Sequence, residues 1–382
     1  MRLCLPRIAP MPTESEVALL TRYVLLATFG VSAAFGAIVQ RTGFCTMGAV
    51  ADVVTMGEWT RMRQWALAAG VAVLGFAVLG AGGWIRPGDS VYADSRWMWL
   101  SSLVGGLMFG IGMVLSSGCG SKNLVRIGAG NLKGLVVFIV MALSAYMTLR
   151  GITAVLRDRT VDQVFVAFSG PATLGALSSS QLGWTAGLAL LVPALLVGGA
   201  LLGWALVGRD FLRANNLLAG AGVGATIVAM WWVSGWLGFV AEHPLTLEAS
   251  YLTTRSGRME ALTFTAPLAY AVDWLMFFSD RNQHLGLAAV SVGGVVFGAF
   301  VHAALTRRFR WEGFQTTEDL ANHLAGAALM GVGGVTALGC TIGQGLSGVS
   351  NLSLTSFSAV ASIIAGAVLA LKYQMWRLEH MA

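Results

Sequence analysis

Charge is the scarcest property of this chain. Asp, Glu, Lys and Arg make up 11% of its 382 residues, against roughly 25% in an ordinary soluble domain. With hydrophobic residues at 56%, this excludes a water-soluble globular protein and leaves a polytopic membrane protein. The formal net charge of +6 is too small and too scattered for nucleic acid and fits basic loops beside an anionic lipid bilayer. Cysteine is also rare. The four present, Cys4, Cys45, Cys119 and Cys340, are never closer than 41 residues, which excludes a disulfide framework and a Cys-x-x-Cys redox pair. The five histidines, His243, His284, His302, His323 and His380, have no metal-ligand spacing and read as loop or interface residues. No metal or other cofactor is expected. The first 16 residues hold Arg2, Arg7 and three prolines but no apolar run of signal-peptide length. They read as a short tail before the first span, and Cys4 as an ordinary residue in it.

What is present is apolar length interrupted by glycine. A membrane span needs about 20 mostly apolar residues. Nine stretches qualify: 17–39, 64–85, 98–116, 132–150, 181–207, 217–240, 286–305, 321–338 and 354–372. Four more, 42–57, 118–131, 261–279 and 340–352, are too short or too glycine-rich to cross. Such segments enter the membrane, break and return to the same side. The fold class expected is therefore all-α: about nine transmembrane helices plus four short re-entrant helices in a single transport domain. Tryptophans 97, 99, 231, 232, 236 and 311 lie near span ends, as an interfacial belt would.

The chain also repeats itself. At an offset of 221 residues, Gly105, Gly110, Gly112, Gly118 and Cys119 fall on Gly326, Gly331, Gly333, Gly339 and Cys340. Asp52 falls on Asp273 and Phe76 on Phe297. The repeats run from about 17–150 and 217–372, joined by the span at 181–207. Each half then reads span, broken segment, span, span, broken segment, span. An odd linker span turns the second half upside down, giving an inverted repeat. Three of the four broken tips carry cysteine: Cys45, Cys119 and Cys340. At the fourth, Ala266 stands instead, with Thr263 and Thr265 nearby. The distribution of Lys and Arg favours an outside amino terminus, which puts 151–180 and 241–260 outside.

A re-entrant turn presents backbone N–H groups and a helix N-terminus, and both attract anions. Glycine permits the tight turn and the close approach of a ligand. A thiol there is a soft, weak hydrogen-bond donor suited to a sulfur-containing anion. Three thiols in matched glycine-broken contexts argue against simple packing residues. The expected substrate-binding set is Cys45, Cys119 and Cys340, with Gly118 and Gly339 at the turns, Lys122 as a cation near the mouth, and Gln344 as a donor. Asn123, Gln344, Ser347 and Asn351 could instead satisfy the broken backbone. Asp52 and Asp273 could carry protons or tie the short helices.

Three motifs, Gly43-Phe-Cys-Thr-Met-Gly, Ser117-Gly-Cys-Gly-Ser-Lys-Asn and Gly339-Cys-Thr-Ile-Gly-Gln-Gly, resemble the YeeE/YedE sulfur-transport family, with similarity over nearly the whole chain. The resemblance implies a bacterial inner-membrane protein taking up thiosulfate. Its motif cysteines, matching Cys45, Cys119 and Cys340, would relay the ion by S–H hydrogen bonds without covalent change, so no enzyme is expected. It also implies a partner, a small sulfurtransferase of the TusA/YeeD type. No such domain follows the last span, so the partner would be a separate protein. Some relatives are assigned to selenium, which keeps a selenium species or another sulfur compound as the alternative cargo.

Three other readings compete. Gly345-Leu-Ser347-Gly348 matches an intramembrane serine protease pattern, but the only later histidine is His380, in the tail. A membrane thiol oxidoreductase would need paired cysteines. A soft-metal transporter would need Met or His arranged beside the thiols.

Overall fold

The computed structural model describes residues 13–208, 211–244, 246–280 and 285–381. Cys4, Arg2, Arg7, Arg209 and His284 lie outside the described residues. The fold is all-α. Its only strands among the described residues are two antiparallel pairs of two-residue strands: β1 (Arg96–Trp97) with β2 (Val166–Ala167), and β3 (Phe239–Val240) with β4 (Ser250–Tyr251).

Local chemistry sets the helix ends. Thr13 and Glu16 form a capping box at the start of α1 (Glu14–Thr42), which stops at Gly43 in the left-handed conformation, φ +71°. After a break over residues 43–45 the chain resumes as α2 (Thr46–Met56), which ends at a second left-handed glycine, Gly57, φ +67°. There follow α3 (Thr60–Ala81), α4 (Trp99–Leu115), α5 (Gly120–Gly128), α6 (Leu132–Arg150), α7 (Ile152–Arg159), α8 (Leu174–Leu182) and α9 (Ala186–Leu206). α10 (Ala214–Leu217) and α11 (Val223–Trp232) belong to one helical run over Ala214–Leu237 that contains two π-helical turns. The chain closes with α12 (Ala266–Met276), α13 (Leu287–Leu305), α14 (Thr317–Thr336), a π-helical turn at Gly343–Gly348, and α15 (Leu354–Met381).

Among the described residues, eight helical runs are long and apolar enough to cross a membrane. The protein is thus multi-pass. The expected ninth span, 321–338, corresponds to α14, which is not among the eight. Glu318, Asp319, Asn322 and His323 in its first turns make it too polar. It is nevertheless a 20-residue helix packed against α4 and α6. The expected span at 181–207 is α9, preceded by α8, which the left-handed Gly183 ends.

Glycine decides how the helices pack. A Cβ at Gly333 would stand 2.6 Å from the carbonyl oxygen of Gly105, and one at Gly105 would strike the backbone at Gly333 and Ala337. Gly112 and Gly326 meet in the same reciprocal way at 2.6 Å. The register, 105 with 333 and 112 with 326, makes α4 and α14 antiparallel. Around this crossing, α4 packs on α15 and α14 on α6, while α1 packs on α13 and α11 on α3. Two sequence readings change. Trp231 is fully buried rather than interfacial: its ring meets Phe76 and Tyr92, and its Nε1 donates to Ser350 at 2.9 Å. His323 is also buried, inside α14, with Nδ1 2.8 Å from the Asp319 carbonyl oxygen.

Candidate anion path

The three cysteines sit at the broken ends of helices. Cys45 is the N-cap of α2, its Sγ accepting from the Gly48 N–H at 3.4 Å. Cys119 is the N-cap of α5, and Cys340 leads into the π-helical turn, its Sγ accepting from the Gly343 N–H at 3.4 Å. The residues two before Cys119 and Cys340, Ser117 and Leu338, hold positive φ values of 53° and 59°. That conformation is costly for any residue but glycine or asparagine, and here it turns each helix end inward.

These tips converge. The Cys45 and Cys119 side chains interact directly, and Cys340 lies within electrostatic range of Cys119. The fourth tip, which lacks a cysteine, closes on Cys340. The Phe264 N–H donates to its Sγ at 3.2 Å, and the Thr263 hydroxyl lies 3.8 Å away. All three thiols are free and buried, with exposures of 9% at Cys45 and 1% at Cys119 and Cys340. Each is flanked by donors, the Ser121 hydroxyl being 3.3 Å from the Cys119 sulfur.

The remaining expected residues fall around this line. A Cβ at Gly118 would stand 3.2 Å from Lys122 Cγ, and one at Gly339 would stand 3.1 Å from Gln344 Cγ. Both glycines therefore let the following turn fold back on itself. Lys122 faces Cys45 and Cys119, with Arg61 and Arg126 nearby, and makes no salt bridge among the described residues. Gln344 is fully buried. Its amide donates to the Ala337 carbonyl oxygen at 2.7 Å and accepts from the Ser356 hydroxyl. Asn123 donates to the carbonyl oxygens of Gly118 and Cys119 at 3.0 and 3.1 Å. Ser347 donates to the Leu262 carbonyl oxygen at 2.7 Å. These three side chains satisfy backbone freed by the breaks, and Ser347 makes no hydrogen bond to a histidine among the described residues. Asp52 pairs with Arg61 at 3.3 Å and Asp273 with Arg255 at 2.9 Å, so both acids tie their short helices.

Sequence reasoning missed the antechamber. A cavity of about 480 Å³ opens at the end where α4 begins and α14 finishes, and its lining includes Thr263, Gly339 and Gln344 around Cys340. Its wall carries Arg96, Arg157, Arg255 and Arg258, together with Tyr92, Asp94 and Glu260. The sequence carries a signal for it, since the arginines stand at 96 and in the two long non-membrane stretches, but taken along the chain those charges speak only to topology. Burial pushes the Glu260 carboxyl above the ordinary range, against the hydrogen bonds it accepts from Ser256.

A family model described as Sulphur transport matches residues 41–369. A thiosulfate transporter, TsuA, of Escherichia coli strain K12 is 26% identical over 318 residues, covering 82% of this chain and 84% of that protein. A thiosulfate transporter, TsuA, of Spirochaeta thermophila is 25% identical over 344 residues, covering 87% of this chain and 93% of that one. With the match running through all three cysteine tips and both halves, the chain belongs to the Sulphur transport family.

Proposed function

We propose that this protein takes up thiosulfate across the bacterial inner membrane, passing it along Cys340, Cys119 and Cys45. The observation that carries the reading is the convergence of three free, buried thiols below an arginine-walled cavity, in a chain whose relatives are named thiosulfate transporters.

The ion is drawn into the vestibule by Arg96, Arg157, Arg255 and Arg258. At its floor, Cys340 and its neighbouring hydroxyl meet the anion as weak donors. Cys119 and Cys45 follow, with Lys122, Arg61 and Arg126 drawing it onward. Several weak stations conduct better than one tight site, because an ion must leave as readily as it enters. No bond is made or broken, so the protein is a transporter rather than an enzyme. Release into a sulfur-consuming step, such as a separate TusA/YeeD-type sulfurtransferase, would keep the inward gradient steep.

Two inverted repeats, about 17–150 and 217–372, would explain why Cys119 and Cys340 reach the middle from opposite faces. Each follows the C-terminal end of one of the antiparallel helices α4 and α14. The matched positive φ at Ser117 and Leu338 supports the same reading.

The test is growth of a bacterium lacking its own sulfate and thiosulfate uptake, with thiosulfate as sole sulfur source. Wild type should restore growth, while Cys119→Ala and Cys340→Ala, at equal abundance in the membrane, should not. Growth with both variants would reduce the thiols to packing residues. Failure of abundant wild type, with and without a sulfurtransferase supplied, would move the cargo to selenium or another sulfur compound.

A further inference from the structure

Thiosulfate presents two chemistries, one soft sulfur and three hard oxygens, and thiols match only the first. Buried hydroxyls lie beside the thiols along the path and match the second. Thr341 is 2% exposed, and its Oγ1 makes no well-formed hydrogen bond among the described residues, only a looser approach to the Cys119 thiol. A buried hydroxyl without a well-formed partner is costly, so its place here calls for an explanation. Although Thr341 follows Cys340 in sequence, its side chain lies beside the Cys119 thiol. It therefore stands where an ion leaving one cysteine meets the next. Thr46, which follows Cys45, has a second buried hydroxyl without a partner, so the pattern is not confined to one tip.

Resting on the thiosulfate reading above, we propose that Thr341 is an oxygen-binding residue of the path. Its hydroxyl donates to an oxygen of the sulfur oxyanion during transfer between Cys340 and Cys119, while the thiols engage the terminal sulfur. The Ser121 hydroxyl, 3.3 Å from Cys119 Sγ, and the Thr263 hydroxyl, 3.8 Å from Cys340 Sγ, make the neighbouring stations mixed thiol–hydroxyl sites as well. Thr341 differs in making no well-formed hydrogen bond, its nearest polar neighbour being the Cys119 thiol itself. The path thereby selects an anion carrying both sulfur and oxygen.

The experiment measures uptake of ³⁵S-labelled thiosulfate into proteoliposomes holding wild type, Thr341→Val, Thr341→Ser or Thr341→Ala. Valine keeps the shape and removes the donor; serine keeps the donor and removes a methyl. Thr341→Val should raise KM by about ten- to a hundredfold, the range for a hydrogen bond to a charged group, with an unchanged unfolding temperature. Thr341→Ser should stay within about threefold of wild type, since a retained donor costs less than half a tenfold step. Wild-type KM in the valine variant overturns this inference and leaves the thiosulfate reading standing. Wild type that imports no thiosulfate overturns both. If the valine protein does not accumulate, serine and alanine decide: serine near wild type with alanine impaired supports the donor role, and equal impairment overturns it.

Discussion

Cys340 shows what a single side chain must do here. Its sulfur accepts from the backbone N–H groups of Phe264 and Gly343, which leaves its own weak S–H free to donate forward. Replacing it with serine keeps a donor but makes it harder and shorter, so the match to a soft sulfur is lost. Cys340→Ser should lower the initial rate of labelled thiosulfate uptake by about tenfold or more, equivalent to about 1.4 kcal/mol, without lowering the amount of folded protein. An unchanged rate would mean that any small donor suffices. Glu260 supports a second prediction. It shares the vestibule wall with Tyr92, Asp94, Arg96, Arg157, Arg255, Arg258 and Tyr270. Its charged form repels an incoming dianion. Burial raises its pKa, so protonation begins at a higher pH than for ordinary carboxylates, and lowering the pH removes a negative charge from the entrance. Uptake at subsaturating thiosulfate should therefore rise as pH falls. Glu260→Gln should behave like acidified wild type and flatten the profile. An identical pH profile in the variant would refute the assignment. The cysteines were legible in the sequence because a rare residue recurred in matched glycine contexts. Glu260 and Thr341 were not, since neither the partial burial of a loop carboxylate nor the surroundings of one hydroxyl leave a trace in spacing.

Helices α4 and α14 show how far pattern reading goes for whole elements. Their glycines repeat at matched positions and announce close packing, but composition cannot say whether such a face meets a neighbour in the same chain or a second copy. The structure pairs Gly105 with Gly333 and Gly112 with Gly326. The hydropathy of α14 misled in a different way: its polar first turns are tolerated because Asp319 is held by Lys133 at 2.6 Å and His323 is buried against Phe314. Gly333→Ala should lower the unfolding temperature, because the new methyl meets backbone at 2.6 Å on the Gly105 and Phe109 side. Backbone cannot swing away as a flexible side chain does, and such overpacking costs about 1–3 kcal/mol. Gly293→Ala in α13 is the matched control. Nothing lies within 4 Å of its Cβ position, so the change should be neutral or stabilise by about 0.5–1 kcal/mol through helix propensity. Thermal unfolding in one detergent compares the pair, and equal shifts would show that the crossing is not tightly packed.

At the scale of the whole molecule, the missing piece was electrostatic. All-α class, multi-pass character and family membership followed from apolar length and the cysteine motifs. The vestibule did not, because its arginines come from segments around residues 96, 157 and 255–258 that only folding brings to one wall. Among the residues that line it, four arginines stand against Asp94 and Glu260, and since two of the four are held by acids behind the wall, the steering charge rests on Arg96 and Arg258. A positive, partly enclosed mouth raises the local concentration of an anion and its rate of entry, and salt weakens the effect over a Debye length of about 10 Å at 0.1 M. Arg255 and Arg157 are tied to Asp273 and Asp162; Arg96 lies over the Phe165 ring instead of an acid. The double variant Arg96→Gln, Arg258→Gln should therefore lose steering while leaving the tied pairs intact. Uptake at low thiosulfate should fall several-fold in the variant at low ionic strength, while the rate at saturation stays near wild type. Raising an inert salt should slow the wild type and leave the variant nearly unchanged, so that the two converge. Lys122→Gln, by contrast, alters a cation beside Cys45 and Cys119 and should lower the saturated rate at every ionic strength. If the two variants lose the same parameter, the protein has no separate capture and transfer steps; if they split as argued, the vestibule gathers the ion and the thiol path moves it.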